Sequence, residues 1–256
     1  MSIGTGIEWT DATWNPTTGC RKVSPGCDHC YAATLAKRLK AMGNPRYQND
    51  GPDGPGFGLT LHDDKVDEPR RWRSPRRVFV NSMSDLFHAD VPVGFIASVF
   101  RTMAACPQHQ FQVLTKRPKR MRQVLSILPG DLQGLRNVWL GVSIESDDYT
   151  WRADQLRQTP AAVRFLSLEP LLGPLPSLRV QNIDWVIVGG ESGPFARAMS
   201  IEWARVLRDQ CLAHGVPFFL KQLGGIRDKR GGSAATLDGA RWHQFPRPSD
   251  SARVPA

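Results

Sequence analysis

Three cysteines stand close together near the start of the chain, in a loop rich in glycine, proline and threonine. They are Cys20, Cys27 and Cys30, and their spacing is C-x6-C-x2-C within TTGCRKVSPGCDHCYA. Three thiolates can hold three irons of a [4Fe–4S] cluster and leave the fourth iron with an open coordination position. An open position allows a metal centre to bind and activate a substrate or a second cofactor. The spacing therefore indicates a site-differentiated iron–sulfur cluster.

The same cysteines allow three other interpretations. A structural zinc ion needs four ligands, so His29 or a distant cysteine would have to join the three, and His29 is adjacent to Cys30. A redox C-x-x-C pair formed by Cys27 and Cys30 would leave Cys20 without a role. Burial of all three in a core is disfavoured by the Gly, Pro and Thr content of the loop. These alternatives stay open at the level of the sequence.

Composition and charge restrict the class of protein. The chain has 256 residues, 41% of them hydrophobic, which is enough to fill the core of one α/β barrel. No apolar run approaches about 18 residues and no secretory signal is visible, so we expect a cytoplasmic protein without membrane association. The 33 Lys and Arg against 24 Asp and Glu give a net charge of +9, which favours a polyanionic partner such as a nucleic acid.

The elements that would position the cysteines alternate between strand and helix. Seven short segments have the composition of buried parallel strands: residues 7–14, 78–81, 111–115, 138–143, 163–168, 185–188 and 217–220. Between them lie stretches with helical character: residues 28–41, 93–105, 119–128, 151–158 and 201–214. This alternation predicts a parallel (β/α) barrel, full or partial.

The predicted barrel forms one domain over residues 1–225. A Gly/Pro-rich loop is inserted at residues 43–75, and we expect it to be lid-like or partly disordered. The remaining residues 226–256 are polar, basic and rich in proline, which predicts a loosely ordered tail.

Polar residues follow the end of nearly every predicted strand. In a parallel barrel all carboxyl ends of strands meet at one face, which carries the active site. Each such residue alone could instead cap the following helix, but their repetition and the position of the cysteines after the first strand favour a functional face. The candidates for catalysis or substrate binding are Lys116, Glu145, Glu169 and Lys221. The candidates for cofactor binding are His29, Ser82, Ser84, Asp85, Gly190, Glu191 and Gln222.

The chain resembles a family of phage proteins of unknown function described as three-Cys-motif radical S-adenosylmethionine (SAM)-like proteins. The matching segments cover nearly the whole chain in order: WNPTTGC at 14–20, GCDHCYA at 26–32, SMSDLFH at 82–88, LTKRP at 114–118, LGVSIE at 140–145, SLEPLLG at 167–173, VGGESG at 188–193 and VPFFLKQLGG at 216–225. The resemblance implies a radical SAM/TIM-barrel-like fold, a [4Fe–4S] cluster, SAM as cofactor and a separate protein partner. The first cysteine gap here has six residues, whereas radical SAM enzymes usually have three.

The resemblance also implies roles for several residues. In radical SAM enzymes SAM binds the open iron through its amino and carboxylate groups. His29 precedes the third cysteine, where such enzymes usually carry an aromatic side chain near the adenine. Ser82, Ser84 and Asp85 follow the second strand, where the SAM amino group is contacted. The Gly-Gly-Glu segment at 189–191 follows the sixth strand, so we interpret it as a glycine turn that brings the backbone close to a ligand.

Three functional hypotheses follow. In the first, the protein is a radical SAM-like enzyme that generates a 5′-deoxyadenosyl radical, and its charge and phage-type resemblance favour repair or modification of a nucleic acid. In the second, it is a metal-bearing protein that binds nucleic acid or a protein partner without catalysis. In the third, it is a hydrolase with Glu145 and Glu169 as acid and base, which leaves the cysteines without a role. The expected location is the cytoplasm of a bacterial or phage-infected cell.

Overall fold

A computed structural model describes residues 5–226 and 235–247 of the chain. Seven parallel strands form one sheet whose strand order follows the chain order. They are β1 (Ala12–Trp14), β2 (Arg77–Val80), β3 (Gln110–Thr115), β4 (Val138–Ser143), β5 (Val163–Leu168), β6 (Trp185–Gly189) and β7 (Phe218–Gln222). The crossover helices are α1 (Tyr31–Ala41), α2 (Val93–Ala104), α3 (Pro118–Ile127), α4 (Trp151–Arg157) and α5 (Ile201–Ala213). The sheet curls into a partial barrel with β1 and β7 at its edges, which confirms the predicted fold class.

The predicted boundaries of β4 and β5 agree with the structure, and most other elements differ by one or two residues. The first strand is shorter than predicted because a turn closed by Thr10 and Ile7 precedes it. Helix α1 begins at Tyr31 instead of residue 28 because Pro25–Cys27 forms a separate 3₁₀ turn. No helix in the part of the chain that the structure describes has the length and apolar character of a membrane span.

Side chains on the two faces of the sheet enter two different apolar clusters, as expected for a parallel sheet covered on both sides. The larger cluster packs beneath the helices. The smaller one fills the concave side near the amino-terminal ends of the strands and consists of Trp9, Phe79, Trp139, Val163, Phe165, Trp185, Ile187 and Phe219. Further along the same strands, this face carries Ser143, Ser167 and Lys221. The concave side therefore changes from an aromatic floor to a polar rim.

The inserted segment 43–75 packs against the first helix. Its strand Thr60–Leu61 pairs in antiparallel fashion with Thr17–Thr18. Its side chains Tyr47 and Phe57 are buried in a cluster that includes Ala36 of α1. This burial accounts for the order of a segment whose Gly and Pro content indicates a loop, and it forms a wall behind the cysteines.

Residues 235–247 belong to the segment that the sequence predicts to be a loosely ordered tail, and they pack on the sheet. The N–H of Leu220 in β7 donates to the carbonyl of Trp242 at 2.8 Å. The ring of Phe245 lies 5.1 Å from that of Trp185, measured between centroids. Isolated aromatic residues thus anchor this segment over the aromatic floor. Two other parts of the predicted tail lie outside the described residues, namely 227–234 and 248–256.

Replacement of Gly19 by alanine tests the close approach between the inserted segment and the cysteines. Gly19 has a φ of +79°, and an added Cβ would lie 2.1 Å from the carbonyl oxygen of Gly58. Gly43 has a φ of +73° with open space around the added Cβ, so Gly43→Ala is a matched control. We expect Gly43→Ala to cost about 1 kcal/mol of unfolding free energy and Gly19→Ala to cost about 3 kcal/mol or more in urea unfolding. Equal losses in the two variants would contradict the close approach.

Candidate functional site

Side chains from the carboxyl ends of the strands border one cavity of about 420 Å³. Every residue that the sequence predicts for the site borders this cavity, with the exception of Glu145. The predicted residues along its lining are Cys20, Cys27, His29, Cys30, Ser82, Ser84, Asp85, Lys116, Glu169, Gly190, Glu191, Lys221 and Gln222. The convergence follows from the parallel sheet, because these residues lie at the carboxyl ends of the strands or in the segments that follow them.

Glu145 lies under the cysteine loop, which we define as residues 19–30. Its fully buried side chain accepts a hydrogen bond from Arg152 at 2.9 Å through Oε2, and the same oxygen is 3.8 Å from Nζ of Lys116. Its other oxygen, Oε1, has no hydrogen-bond partner among the described residues. Gly26 lies directly above, since an added Cβ there would be 3.1 Å from the Glu145 side chain. Glu145 thus supports the loop from below and does not share a surface with Glu169.

The three cysteines are partly exposed and lie at three separate turns of the loop. Burial raises the pKa of the Cys20 thiol to about 11, with a further contribution from the Asp85 carboxylate and opposition from Arg117. Burial also raises the pKa of Cys30, although backbone N–H groups at the start of α1 favour its thiolate. Within residues 5–226 and 235–247, no group of three or more His, Cys, Asp or Glu side chains is arranged to hold a metal ion. The thiols therefore border one cavity without forming a ready single-ion site.

The donor set nevertheless fits a [4Fe–4S] cluster, because such a cluster binds each thiolate through a different iron. Cys20 comes from the loop after β1, Cys27 ends a 3₁₀ turn, and Cys30 is the residue before the first turn of α1. An arginine side chain, Arg117, donates to the sulfur of Cys20 at 3.5 Å. Donors of this kind favour the negative charge that bound thiolates carry.

Asp85 organises the ends of β2 and β3. It is 6% exposed and accepts hydrogen bonds from Thr115 Oγ1 at 2.8 Å, from the N–H of Lys116 at 3.1 Å and from the Arg117 guanidinium at 3.0 Å. The same guanidinium nitrogen reaches Cys20. The structure thus engages Asp85 in holding Arg117 against Cys20, and its contact with the SAM amino group stays a prediction.

Ser82 and Ser84 border the cavity and also hold the cysteine loop. The Ser84 hydroxyl donates to the carbonyl of Gly19, and the Ser82 hydroxyl lies in hydrogen-bonding distance of the Asn15 side chain. The hydroxyl of Tyr31, the first residue of α1, donates to the carbonyl of Ser82. Both ends of the cysteine loop are therefore tied to the segment that follows β2.

The wall formed by the ends of β3, β4, β5 and β7 carries charged groups that face the cavity. Lys116 donates to the Ser143 hydroxyl at 2.9 Å. Lys221 and Glu169 form an ion pair at 2.8 Å, and the Ser167 hydroxyl donates to the other Glu169 oxygen at 3.3 Å. Because the charges of Lys221 and Glu169 balance, Lys116 is the cation best placed on this wall to attract an anionic group of a ligand.

Glu191 connects the cysteine loop to the end of β6. Its buried carboxylate accepts hydrogen bonds from Arg197 at 2.6 and 2.9 Å and lies 3.0 Å from Nδ1 of His29. Arg197 also donates to the carbonyl of Pro25 at 2.9 Å. Burial alone would raise the pKa of Glu191, but the hydrogen bonds from Arg197 and His29 outweigh burial and hold the pKa at about 2. The carboxylate is thus charged, both of its oxygens accept hydrogen bonds, and it fixes the position of the His29 ring.

Gly190 and Gln222 bring the ends of β6 and β7 together at the cavity. The N–H of Gly190 donates to the carbonyl of Gln222 at 3.0 Å, and the Gln222 side chain donates to the carbonyl of Gly190 at 2.7 Å. An added Cβ at Gly190 would lie 2.2 Å from the carbonyl oxygen of Leu223, so glycine is required there. The backbone at this turn closely approaches Leu223, the residue after β7, and its approach to a ligand stays a prediction.

Sequence reasoning missed two arginines that organise the site. Arg152 lies on the buried face of α4 and Arg197 in the irregular segment after β6. Their carboxylate partners, Glu145 and Glu191, were both predicted as site residues. A buried carboxylate needs a cationic partner, so the sequence indicates that such a partner exists. It does not indicate which of the arginines fills this role.

The fold and the site define the class of protein as a parallel partial α/β barrel with one polar cavity at the carboxyl ends of its strands. A cysteine-to-serine mutant of spore photoproduct lyase is similar in structure over 88% of this chain and 78% of that chain, with a TM-score of 0.53 at 11% sequence identity. A cysteine-to-alanine mutant of the lyase has a TM-score of 0.50 with the same coverage and identity. A double mutant with bound AdoMet and dinucleoside spore photoproduct has a TM-score of 0.45 at 12% identity, over 77% of this chain and 60% of that chain. At these identities the likeness concerns the fold.

The chain belongs to a family described as protein of unknown function (DUF5131), whose model matches residues 4–246. No curated protein matches its sequence.

Replacement of Glu191 by glutamine tests the connection between the loop and β6. Because the folded-state pKa of about 2 lies below the ordinary value of 4.5, the stabilisation is complete above about pH 4.5 and is lost as the pH falls toward 2. We expect Glu191→Gln to lower the unfolding free energy by about 2–3 kcal/mol at pH 7, and we expect the difference to narrow below pH 4.5. Urea unfolding at several pH values measures both effects.

Glu202→Gln is the matched control, because Glu202 forms an exposed ion pair with Arg205 on α5. Loss of this ion pair should change the unfolding free energy by less than about 1 kcal/mol at any pH. A Glu191→Gln variant that behaves like this control would contradict the connection.

Proposed function

We propose that the protein is an iron–sulfur enzyme of the radical SAM type. In this proposal Cys20, Cys27 and Cys30 hold a [4Fe–4S] cluster, and the rest of the cavity binds SAM. When bound, the cluster and SAM supply the one-electron chemistry that yields a 5′-deoxyadenosyl radical for hydrogen abstraction from a substrate. The observation that carries the proposal is the convergence of three thiols and the polar strand ends on one cavity of about 420 Å³, a volume in the ordinary range for a ligand site.

The residues around the cavity have the chemistry that SAM requires. The ring of His29, held in place by Glu191, offers a planar surface for the adenine. Lys116 offers a positive charge for a carboxylate, and the Glu169–Lys221 pair offers both an acceptor and a donor for ribose hydroxyls or substrate groups. Ser82 and Ser84 border the same space. These contacts would bind and orient the ligand, while the aromatic floor excludes water from below.

The substrate in this proposal is a nucleic acid, which is repaired or modified. The net charge of +9 supports a polyanionic substrate because it attracts phosphate groups at long range. A partner protein, which the family resemblance implies, would act together with the chain in the cytoplasm of a bacterial or phage-infected cell.

Metal analysis after anaerobic purification and reconstitution tests the cluster. We expect about four irons and four sulfides per chain, loss of both in Cys20→Ala, and a change in the electron paramagnetic resonance spectrum of the reduced protein when SAM is added. Cys106→Ala is the matched control, since Cys106 is buried in the core away from the cavity and its removal should leave the iron content unchanged.

The other outcomes separate the alternative functions. One equivalent of zinc, or an iron content that Cys20→Ala does not lower, would refute the proposal. A cluster that forms but neither binds SAM nor yields 5′-deoxyadenosine with a reductant would favour the metal-bearing protein that binds nucleic acid or a partner without catalysis.

Arg117 is expected to set the reduction potential of the cluster. Its guanidinium donates to the sulfur of Cys20 at 3.5 Å, and hydrogen bonds to cluster sulfurs stabilise the reduced form. We expect Arg117→Ala to lower the midpoint potential by about 50 mV, close to a tenfold change in the one-electron equilibrium. A redox titration followed by paramagnetic resonance measures the shift.

Arg122→Ala is the control for this shift, because Arg122 lies half-buried on α3, the helix that follows Arg117, and does not border the cavity. An unchanged potential in Arg117→Ala, with the iron content preserved, would refute this role of Arg117.

A further inference from the structure

An open groove of about 1020 Å³ lies beside the cavity and shares His29, Cys30, Tyr31 and Ser192 with it. One side of this groove is the outward face of α1, and the other is formed by residues 192–195. We call it the α1 groove. Because the two spaces share four residues, a ligand that lies in the groove reaches the mouth of the cavity.

Large apolar side chains are concentrated in the α1 groove. Phe195 is 77% exposed, Ile226 69%, Tyr31 53% and Leu35 39%. Four of the ten exposed large hydrophobic residues in the described part of the chain therefore line this one surface. Single exposed apolar side chains are ordinary, but a concentration of them beside a cavity marks a binding surface.

The charges in the groove favour an anionic ligand. Lys22 and Arg38 border it, and neither side chain has an ion-pair partner among the residues that the structure describes. The two acidic residues there are engaged within the protein. Asp53 accepts a hydrogen bond from the backbone N–H of Lys22 at 2.9 Å, and Asp28 lies 3.6 Å from the Arg197 guanidinium. The groove thus combines available positive charge with exposed rings.

We propose that the α1 groove binds a single-stranded nucleic acid, with bases stacked on Phe195 and Tyr31 and phosphates held by Lys22 and Arg38. A single strand fits this chemistry because its unpaired bases expose their faces, whereas a duplex buries them. A strand bound in this way presents one base at the cavity mouth next to His29. A base must leave the stack before an enzyme can react with it, and an unpaired base does so more easily than a paired one. This inference rests on the proposed function and specifies the substrate class of the same site.

An acidic protein segment is the competing occupant of the groove. Both ligands would use Lys22 and Arg38, but only a base needs a flat ring at Phe195. Phe195→Leu keeps an apolar side chain there and removes the ring, so this substitution distinguishes the two ligands.

Fluorescence anisotropy with a labelled DNA oligonucleotide of about 12 nucleotides tests the proposal on the cluster-loaded protein under anaerobic conditions. We expect Phe195→Ala and Phe195→Leu to weaken binding about 5- to 100-fold. Phe195→Tyr keeps a flat ring and should bind as tightly as the unmodified protein. Trp151→Ala should leave binding unchanged, because Trp151 is an exposed aromatic residue outside the groove. Arg38→Gln should reduce the slope of binding against salt concentration by about one, whereas Arg122→Gln should not.

Three results would overturn the proposal: equal binding by Phe195→Leu and the unmodified protein, equal or tighter binding of the duplex form of the oligonucleotide, and absence of binding. If polyglutamate displaces the oligonucleotide equally well from the unmodified protein and from Phe195→Leu, the occupant of the groove is an acidic protein.

The same preparations separate this proposal from the proposed function. Iron content and the response to SAM are measured beside binding. A protein that carries the cluster and responds to SAM but binds no oligonucleotide refutes the groove and leaves the radical SAM proposal standing. A protein that binds the oligonucleotide through Phe195 but forms no cluster refutes the radical SAM proposal and leaves the groove proposal standing.

Discussion

The carboxylate of Glu191 joins the two sides of an open sheet. A partial barrel has no hydrogen-bonded ladder between its edge strands β1 and β7, so the loop that follows β1 must be held over the carboxyl-terminal face by side chains. Glu191, at the end of β6, provides this contact through Arg197 and His29, and Arg197 extends it to the carbonyl of Pro25. Because these donors keep the carboxylate charged despite its burial, the connection is electrostatically strong.

The other side of the cysteine loop is held by the same combination of residue types. Asp85 is buried at the end of β2 and binds Arg117, which in turn contacts Cys20. Two buried carboxylates therefore each fix an arginine that reaches the loop from opposite sides. Each arginine thus donates hydrogen bonds to the loop while its charge is balanced by a buried carboxylate, and one of these donors, Arg117, also reaches the sulfur of Cys20.

The sequence predicts the strands and the polar rim well because both depend on local patterns. Apolar runs define buried strands, and a parallel sheet brings every carboxyl end to one face. The prediction fails to orient Glu145 because the alternation of faces stops where β4 ends: Ser143 faces the cavity, the chain then turns, and the Glu145 side chain points beneath the loop. Arg197 lies in an irregular segment that has no periodicity to interpret. Likewise, the pairing of residues 242–244 with β7 depends on contacts between distant parts of the chain.

The six-residue gap between Cys20 and Cys27 has a structural explanation of the same kind. Three residues within it are anchored individually: the carbonyl of Arg21 accepts from Arg117, the N–H of Lys22 donates to Asp53, and the carbonyl of Pro25 accepts from Arg197. The additional residues thus follow the surface of the protein and are not left as slack in the loop. What brings the thiols to one cavity is the position of each anchored turn, and a gap longer than three residues is compatible with that result because contacts at Arg21, Lys22 and Pro25 fix the path of the longer loop.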